Sequence, residues 1–151
     1  MATAFSAQPG DGRVTAPQTV HRQVAALCTR KPGGKREVLL ITSRDTGRWV
    51  LPKGWPMSDR SAADAALQEA WEEAGVREAR IRPQPIGTYD YAKRLDDGGS
   101  IPVRVEVFLA RVDKTARDFP EADQRKRRWV RPGEAAKMVD EPGLKALLRD
   151  L

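Results

Sequence analysis

A chain of 151 residues, 40% apolar and 32% charged, is long enough to bury one substantial core and fits a single domain. Its 27 basic residues against 21 acidic ones, a net charge of +6, favour a polyanionic ligand without choosing among nucleotide, inositol phosphate and RNA. The single cysteine, Cys28, excludes an internal disulfide and a cysteine-based metal cluster and fits a reducing, cytoplasmic setting, and no apolar run is long enough to cross a membrane.

Residues 1–18 are rich in Ala, Gly, Pro, Thr and Gln and read as a loose N-terminal tail, which leaves residues 19–151 as the domain. Gln23 to Thr29 and Glu37 to Thr42 are apolar strand candidates joined by a Pro-Gly-Gly turn, and a hairpin is expected. A polar loop, 43–48, leads to the short strand Trp49-Val50-Leu51 and then to Pro52-Lys53-Gly54. Ser61 can cap a helix that Gly75 ends. Arg80 to Tyr91 is interrupted by Pro83 and Pro85 and reads as one bent strand at a sheet edge. Leu95 to Gly99 is a hairpin turn. Ile101 to Val112 is the longest strand signal, with Val103, Val105, Val107 and Leu109 on one face and Arg104, Glu106 and Phe108 on the other. An acidic loop, 118–124, precedes a basic run at 125–128 and the short strand Trp129-Val130; Pro132 and Pro142 each open a helix.

The helix after Ser61 carries the most information. Glu69, Glu72 and Glu73 stand at i, i+3 and i+4, so one face presents three carboxylates on a small patch. Ala63, Leu67, Ala70, Trp71 and Ala74 supply an apolar stripe on the opposite side, while Ala62, Ala65 and Ala66 flank the glutamates and leave room beside them for hydrated ions and a phosphate chain. Like charges at this spacing repel, and a divalent cation would reverse the sign of that interaction. The plain alternative is a solvated acidic face.

The surrounding residues decide between the two, because the stretch 49–76 resembles the Nudix box: Gly, five residues, Glu, seven residues, Arg-Glu-U-x-Glu-Glu-x-Gly-U, with U aliphatic. Gly54, Glu69, Glu72, Glu73, Gly75 and Val76 fall in register, and the Pro-Lys-Gly lead-in is typical of that family. The chain departs from the pattern at Arg60, where the box has Glu, at Gln68, where it has Arg, and mildly at Ala70. In the family that Glu and that Arg help hold the box together and orient the adjacent catalytic glutamate. The resemblance extends to the hairpin before the box and to Gln124 through Val130 with the following Glu134-Ala135-Ala136, which look like the subgroup hydrolysing diphosphoinositol polyphosphates and diadenosine polyphosphates.

What the resemblance implies is an α/β fold of the Nudix type, an α/β/α sandwich with a mixed, partly antiparallel sheet, and metal-dependent hydrolysis of a diphosphate link in a small-molecule polyphosphate substrate. By the same resemblance Glu69, Glu72 and Glu73, with the carbonyl of Gly54, would hold magnesium, with manganese as a possible substitute; hard oxygen ligands suit both. Glu69 would be the general base, or in its place an acid on the downstream loop, Glu121 first and Asp123 next. Arg22, Ser43, Arg44, Lys53, Arg104 and Lys126 would contact phosphates, although for Arg104 and Glu106 a cross-strand ion pair is the plainer account. His21, the only histidine, is placed by no motif. Two other readings remain open: a Nudix-fold binding or regulatory protein weakened by Arg60 and Gln68, and an RNA-directed protein, whether decapping enzyme or binder, motivated by the basic run. Aromatic residues at 6% and the alternation of strand side chains weigh against RNA as the primary partner.

Overall fold

The computed structural model describes residues 19–151 and, further towards the N-terminus, the backbone of β1 (Ser6–Ala7) paired antiparallel with β2 (Val14–Thr15). The rest of the tail expected over residues 1–18 lies outside the described residues.

The strands β3 (His21–Arg30), β4 (Glu37–Thr42), β5 (Trp49–Val50), β6 (Lys53–Gly54), β7 (Val76–Ile81), β8 (Gly87–Arg94), β9 (Ser100–Thr115) and β10 (Arg127–Val130) form one mixed sheet. Its central pair, β3 and β9, is parallel; the other pairings are antiparallel. Alternation sends Val24, Ala26, Cys28, Leu39, Ile41, Phe108 and Ala110 to the face covered by α1 (Ala62–Ala74). Ala25, Leu27, Val38, Leu40, Val103, Val105 and Val107 go to the other face, packed with Val139, Leu144 and Leu148 around α2 (Pro132–Met138) and α3 (Pro142–Arg149). Both faces are therefore covered, and the middle of β9 is apolar on both sides, as a strand between two helical layers requires. Among the described residues no helix is long and apolar enough to cross a membrane.

The hairpin of β3 and β4 is present but short. The two strands pair only at Thr29 with Val38 and Arg30 with Glu37, and then splay. The wedge between them is filled by β5 on the β4 side and β6 on the β3 side, with Ala26 N donating to Pro52 O at 3.0 Å where the chain crosses. This crossing delivers Lys53 and Gly54 to the mouth of the wedge.

Three expectations change. The bent strand over 80–91 is two strands, β7 and β8, broken at residues 82–86, because Pro83 and Pro85 have no N–H to give. Both lie along the same edge of β9, and Arg82 N to Leu109 O and Ile86 N to Val107 O carry the pairing across the break. On α1, Ala65 and Ala66 do not leave space beside the glutamates; they are fully buried and, with Ala63, Ala70 and Ala74, let the helix approach the sheet closely. Leu67 and Trp71 are only partly buried and line a groove on the outer side of the helix.

Candidate active site

Local capping sets the limits of α1. Ser61 Oγ accepts from Asp64 N at 3.1 Å, and Gly75 ends the helix with φ 71°, a left-handed conformation that glycine adopts without cost. The carbonyls left over at the C-terminus are taken by the following loop and strand: Glu121 N donates to Glu72 O at 2.9 Å, and Arg127 Nη1 to Ala74 O at 2.7 Å. These bonds bring a loop from 49 or more residues downstream against the last turn of the helix, and with it Glu121.

The helix docks on the wedge through its carboxylates. Glu73 is buried; its Oε1 accepts from Lys53 N at 3.1 Å and its Oε2 lies 3.4 Å from Arg125 Nη2. Gly54 sits so close to the Glu69 carboxylate that a Cβ there would overlap it. Glu72 does not join them. Consecutive helical residues point about 100° apart, and Glu72 turns to its own i−4 neighbour, Gln68, whose Nε2 donates to Glu72 Oε2 at 2.7 Å. The expected convergence of three carboxylates is thus a pair, Glu69 and Glu73, with Glu72 to one side; among the described residues no three Asp, Glu, His or Cys side chains are gathered to hold an ion.

Glu69 and Glu73 share a cleft of about 610 Å³ with Lys53, Gly54, Trp55, Ser43, Arg44, Arg48, Tyr91 and Glu121. Burial, then the charges of Glu73 and Glu72 and a hydrogen bond with Glu73, push Glu69 up to about 8. Burial raises Glu73 as well, against the opposing pull of Arg125 and the Lys53 amide. Burial lowers Lys53 to about 8, and its ammonium lies 5.2 Å from the centre of the Tyr91 ring. Two carboxyl groups close enough to share a proton supply hard oxygen ligands that fit a divalent cation, whose charge would replace that proton.

Of the residues expected to contact phosphate, the structure brings Ser43, Arg44 and Lys53 into the cleft and leaves Arg22, Arg104 and Lys126 outside its lining. Arg22 bonds Glu106 at 2.6 Å, and Arg104 pairs with Asp90 at 2.8 Å across β8 and β9, the cross-strand pairing anticipated for Arg104 and Glu106, each with a different neighbour. Lys126 is exposed, its backbone bonded to Thr42. The basic run is not a patch. Arg125 turns inward to Glu73 and Glu121, and Arg127 to the helix end and the Phe119 ring, so only Lys126 and Arg128 face solvent. Arg125 is the site residue that sequence reasoning missed as such; alternation within the run was the available signal. Trp55 and the Tyr91–Gln23 hydrogen bond of 2.7 Å were missed too, since only the fold places β3 and β8 on the two edges of β9, where the side chains meet across it.

A mixed sheet in which β3 and β4 splay to admit a loop, with a helix bearing paired carboxylates docked at the opening, defines a Nudix-type fold. The chain belongs to the Nudix family: a NUDIX domain model matches residues 19–151. It is 32% identical over 107 residues to Nudix hydrolase 12, mitochondrial, of Arabidopsis thaliana, covering 69% of this chain and 52% of that protein. It is 26% identical over 134 residues to diphosphoinositol polyphosphate phosphohydrolase 3-alpha of Mus musculus, covering 87% of this chain and 77% of that one. Among solved structures, the Ap4A hydrolase of C. elegans matches with a TM-score of 0.67 and 26% identity, over 87% of this chain and 95% of its own. The chain spans about half the length of the Arabidopsis relatives it matches.

Proposed function

We propose that the chain is a magnesium-dependent pyrophosphohydrolase, with manganese as a substitute, cleaving a diphosphate link in a diadenosine polyphosphate or diphosphoinositol polyphosphate. The observation that carries this reading is the Glu69–Glu73 pair at the wedge, facing a cleft that also holds Lys53, Arg44 and Arg48. Glu69 and Glu73, with Glu72 and the Gly54 carbonyl alongside, would hold the cation; when bound, it supplies Lewis acidity toward phosphate oxygens. Lys53 and Arg44 bind the phosphate chain and stabilise charge that develops as the anhydride P–O bond breaks. Glu69 accepts the proton of the attacking water. Glu121 is less free for that role, since Arg125 Nε bonds it at 2.7 Å and Arg44 Nε lies 3.8 Å away. The inward turn of Arg125 and Arg127 weighs against an RNA-binding face, and the Gln68 bond that still holds Glu72 weighs against a site disabled by its altered box. A cytoplasmic setting belongs to the same proposal, supported by the single buried thiol of Cys28.

The test is hydrolysis by wild type and Glu73→Gln, with magnesium and with chelator, of diadenosine polyphosphates, inositol pyrophosphates, nucleotide sugars, nucleoside triphosphates and capped RNA. Turnover of the first two, lost with chelator and in the variant, is expected. A folded wild type inert on every substrate would turn the assignment to a binding protein.

A further inference from the structure

We infer that Trp55, braced by His21, is a stacking platform for a planar nucleobase, so that the substrate carries a base beside its phosphate chain. The inference rests on the anhydride-hydrolase reading above and narrows it from polyphosphates in general to nucleotide-bearing ones.

Among the described residues the exposed large hydrophobic side chains are Trp55, at 43%, and Val20, at 51%, which adjoins His21. The other three of the four tryptophans are partly buried and otherwise engaged: Trp129 lies under the Arg30 guanidinium at 4.3 Å, Trp49 packs on the core beneath α2 and α3, and Trp71 lines the outer groove of α1. Trp55 alone of them lines the cleft of Glu69 and Glu73. It directly follows Gly54, which lies against the Glu69 carboxylate, so the indole borders the place where the anhydride would sit. The His21 ring meets it edge to face, 6.3 Å between centroids at 77°, and orients it. Lys93 and Arg94 line the cleft from β8 and give a phosphate chain further cations. An exposed indole loses free energy to water until an apolar face covers it. A purine has such a face; an inositol polyphosphate presents phosphate and hydroxyl groups, which gain nothing from an indole. Stacking of this kind tolerates any base, because every base has a π surface.

The test compares wild type, Trp55→Ala and Trp55→Phe by calorimetric titration with magnesium, using a methylene-bridged diadenosine tetraphosphate and, as the base-free probe, methylenediphosphonate. Trp55→Ala should bind the diadenosine analogue about tenfold more weakly and methylenediphosphonate unchanged, and Trp55→Phe should keep most of the affinity. Equal weakening towards both probes, or no weakening towards the analogue, overturns the inference. Wild type that binds methylenediphosphonate with no advantage for the analogue overturns it while leaving the anhydride reading intact. Wild type that binds neither probe overturns both.

Discussion

Arg125 ties together three parts of the site, and removing it should be costly in a way that depends on pH. Its side chain is 8% exposed and forks between Glu121 at 2.7 Å and Glu73 at 3.4 Å, while Nη1 donates to Thr42 O at 3.0 Å. Arg125→Met keeps much of the volume and removes the charge. Losing one partner of a buried ion pair costs about 3–5 kcal/mol because the other charge is stranded. Glu121 keeps Arg44 nearby at 3.8 Å and is partly exposed, so the lower figure, about 3 kcal/mol, applies. At about 2–4 °C per kcal/mol for a chain of this size, the melting temperature should fall by roughly 6–12 °C. Arg125 is also the largest influence holding Glu73 down against burial. Without it the folded-state pKa of Glu73 rises further above its ordinary 4.5, and a raised carboxyl contributes stability below that value that is lost as pH climbs through the folded pKa. The deficit of the variant should therefore be small near pH 5 and larger near pH 8. Thermal unfolding at both pH values, by circular dichroism without divalent cations, measures it. A fall under about 2 °C, or a deficit unchanged between the two pH values, would refute the role given to Arg125.

Gly54→Ala should unfold at nearly the wild-type temperature yet lose about a hundredfold in kcat, since the new methyl displaces the Glu69 carboxylate and misplacement by about 1 Å is worth that much; unchanged kcat would show that the close approach does not matter. Ser61→Ala should cost about 1 kcal/mol of stability in denaturant unfolding, with catalytic constants little changed, because the cap lies at the far end of the helix from Glu73. Cys28 is buried, and burial pushes its thiol up to about 12, so a disulfide reagent at pH 8 should label the native protein only at the rate of unfolding; rapid labelling would mean that the core opens far more readily than its packing indicates.

What could be read from the chain was what depends on near neighbours. The Ser61 cap, the Gly75 stop and the period of β9 are local, and the structure keeps all three. The split of β7 from β8 was written in Pro83 and Pro85 but lost because a single continuous edge of β9 accepts both strands. The burial of Ala65 and Ala66 could not be told from an open shelf, since small residues serve either purpose and only the height of the helix above the sheet distinguishes them. Pairings such as Arg48 with Glu141, at 2.5 Å and 93 residues apart in the chain, have no local signal at all. The cleft inherits this division: its carboxylates, Arg44 and Lys53 were legible in the chain up to the helix, whereas Arg125 arrives from a distant loop.

The altered box positions make physical sense once the two sides of α1 are separated. Gln68 faces Glu72 and holds it with a neutral amide in place of a guanidinium. Arg60 is exposed and lies in the outer groove with Asp59 and Asp64, away from Glu69 and Glu73. The cations that Glu73 does have are Lys53 and, more strongly, Arg125, brought in by the loop that closes the C-terminal end of the helix. The altered positions thus leave a hydrogen bond, Gln68 to Glu72, beside the cleft and place neither Arg60 nor Gln68 in its lining. A site arranged in this way depends on Arg125 for its charge balance, which is why the pH-dependent cost of losing Arg125 is the sharpest probe of the whole arrangement.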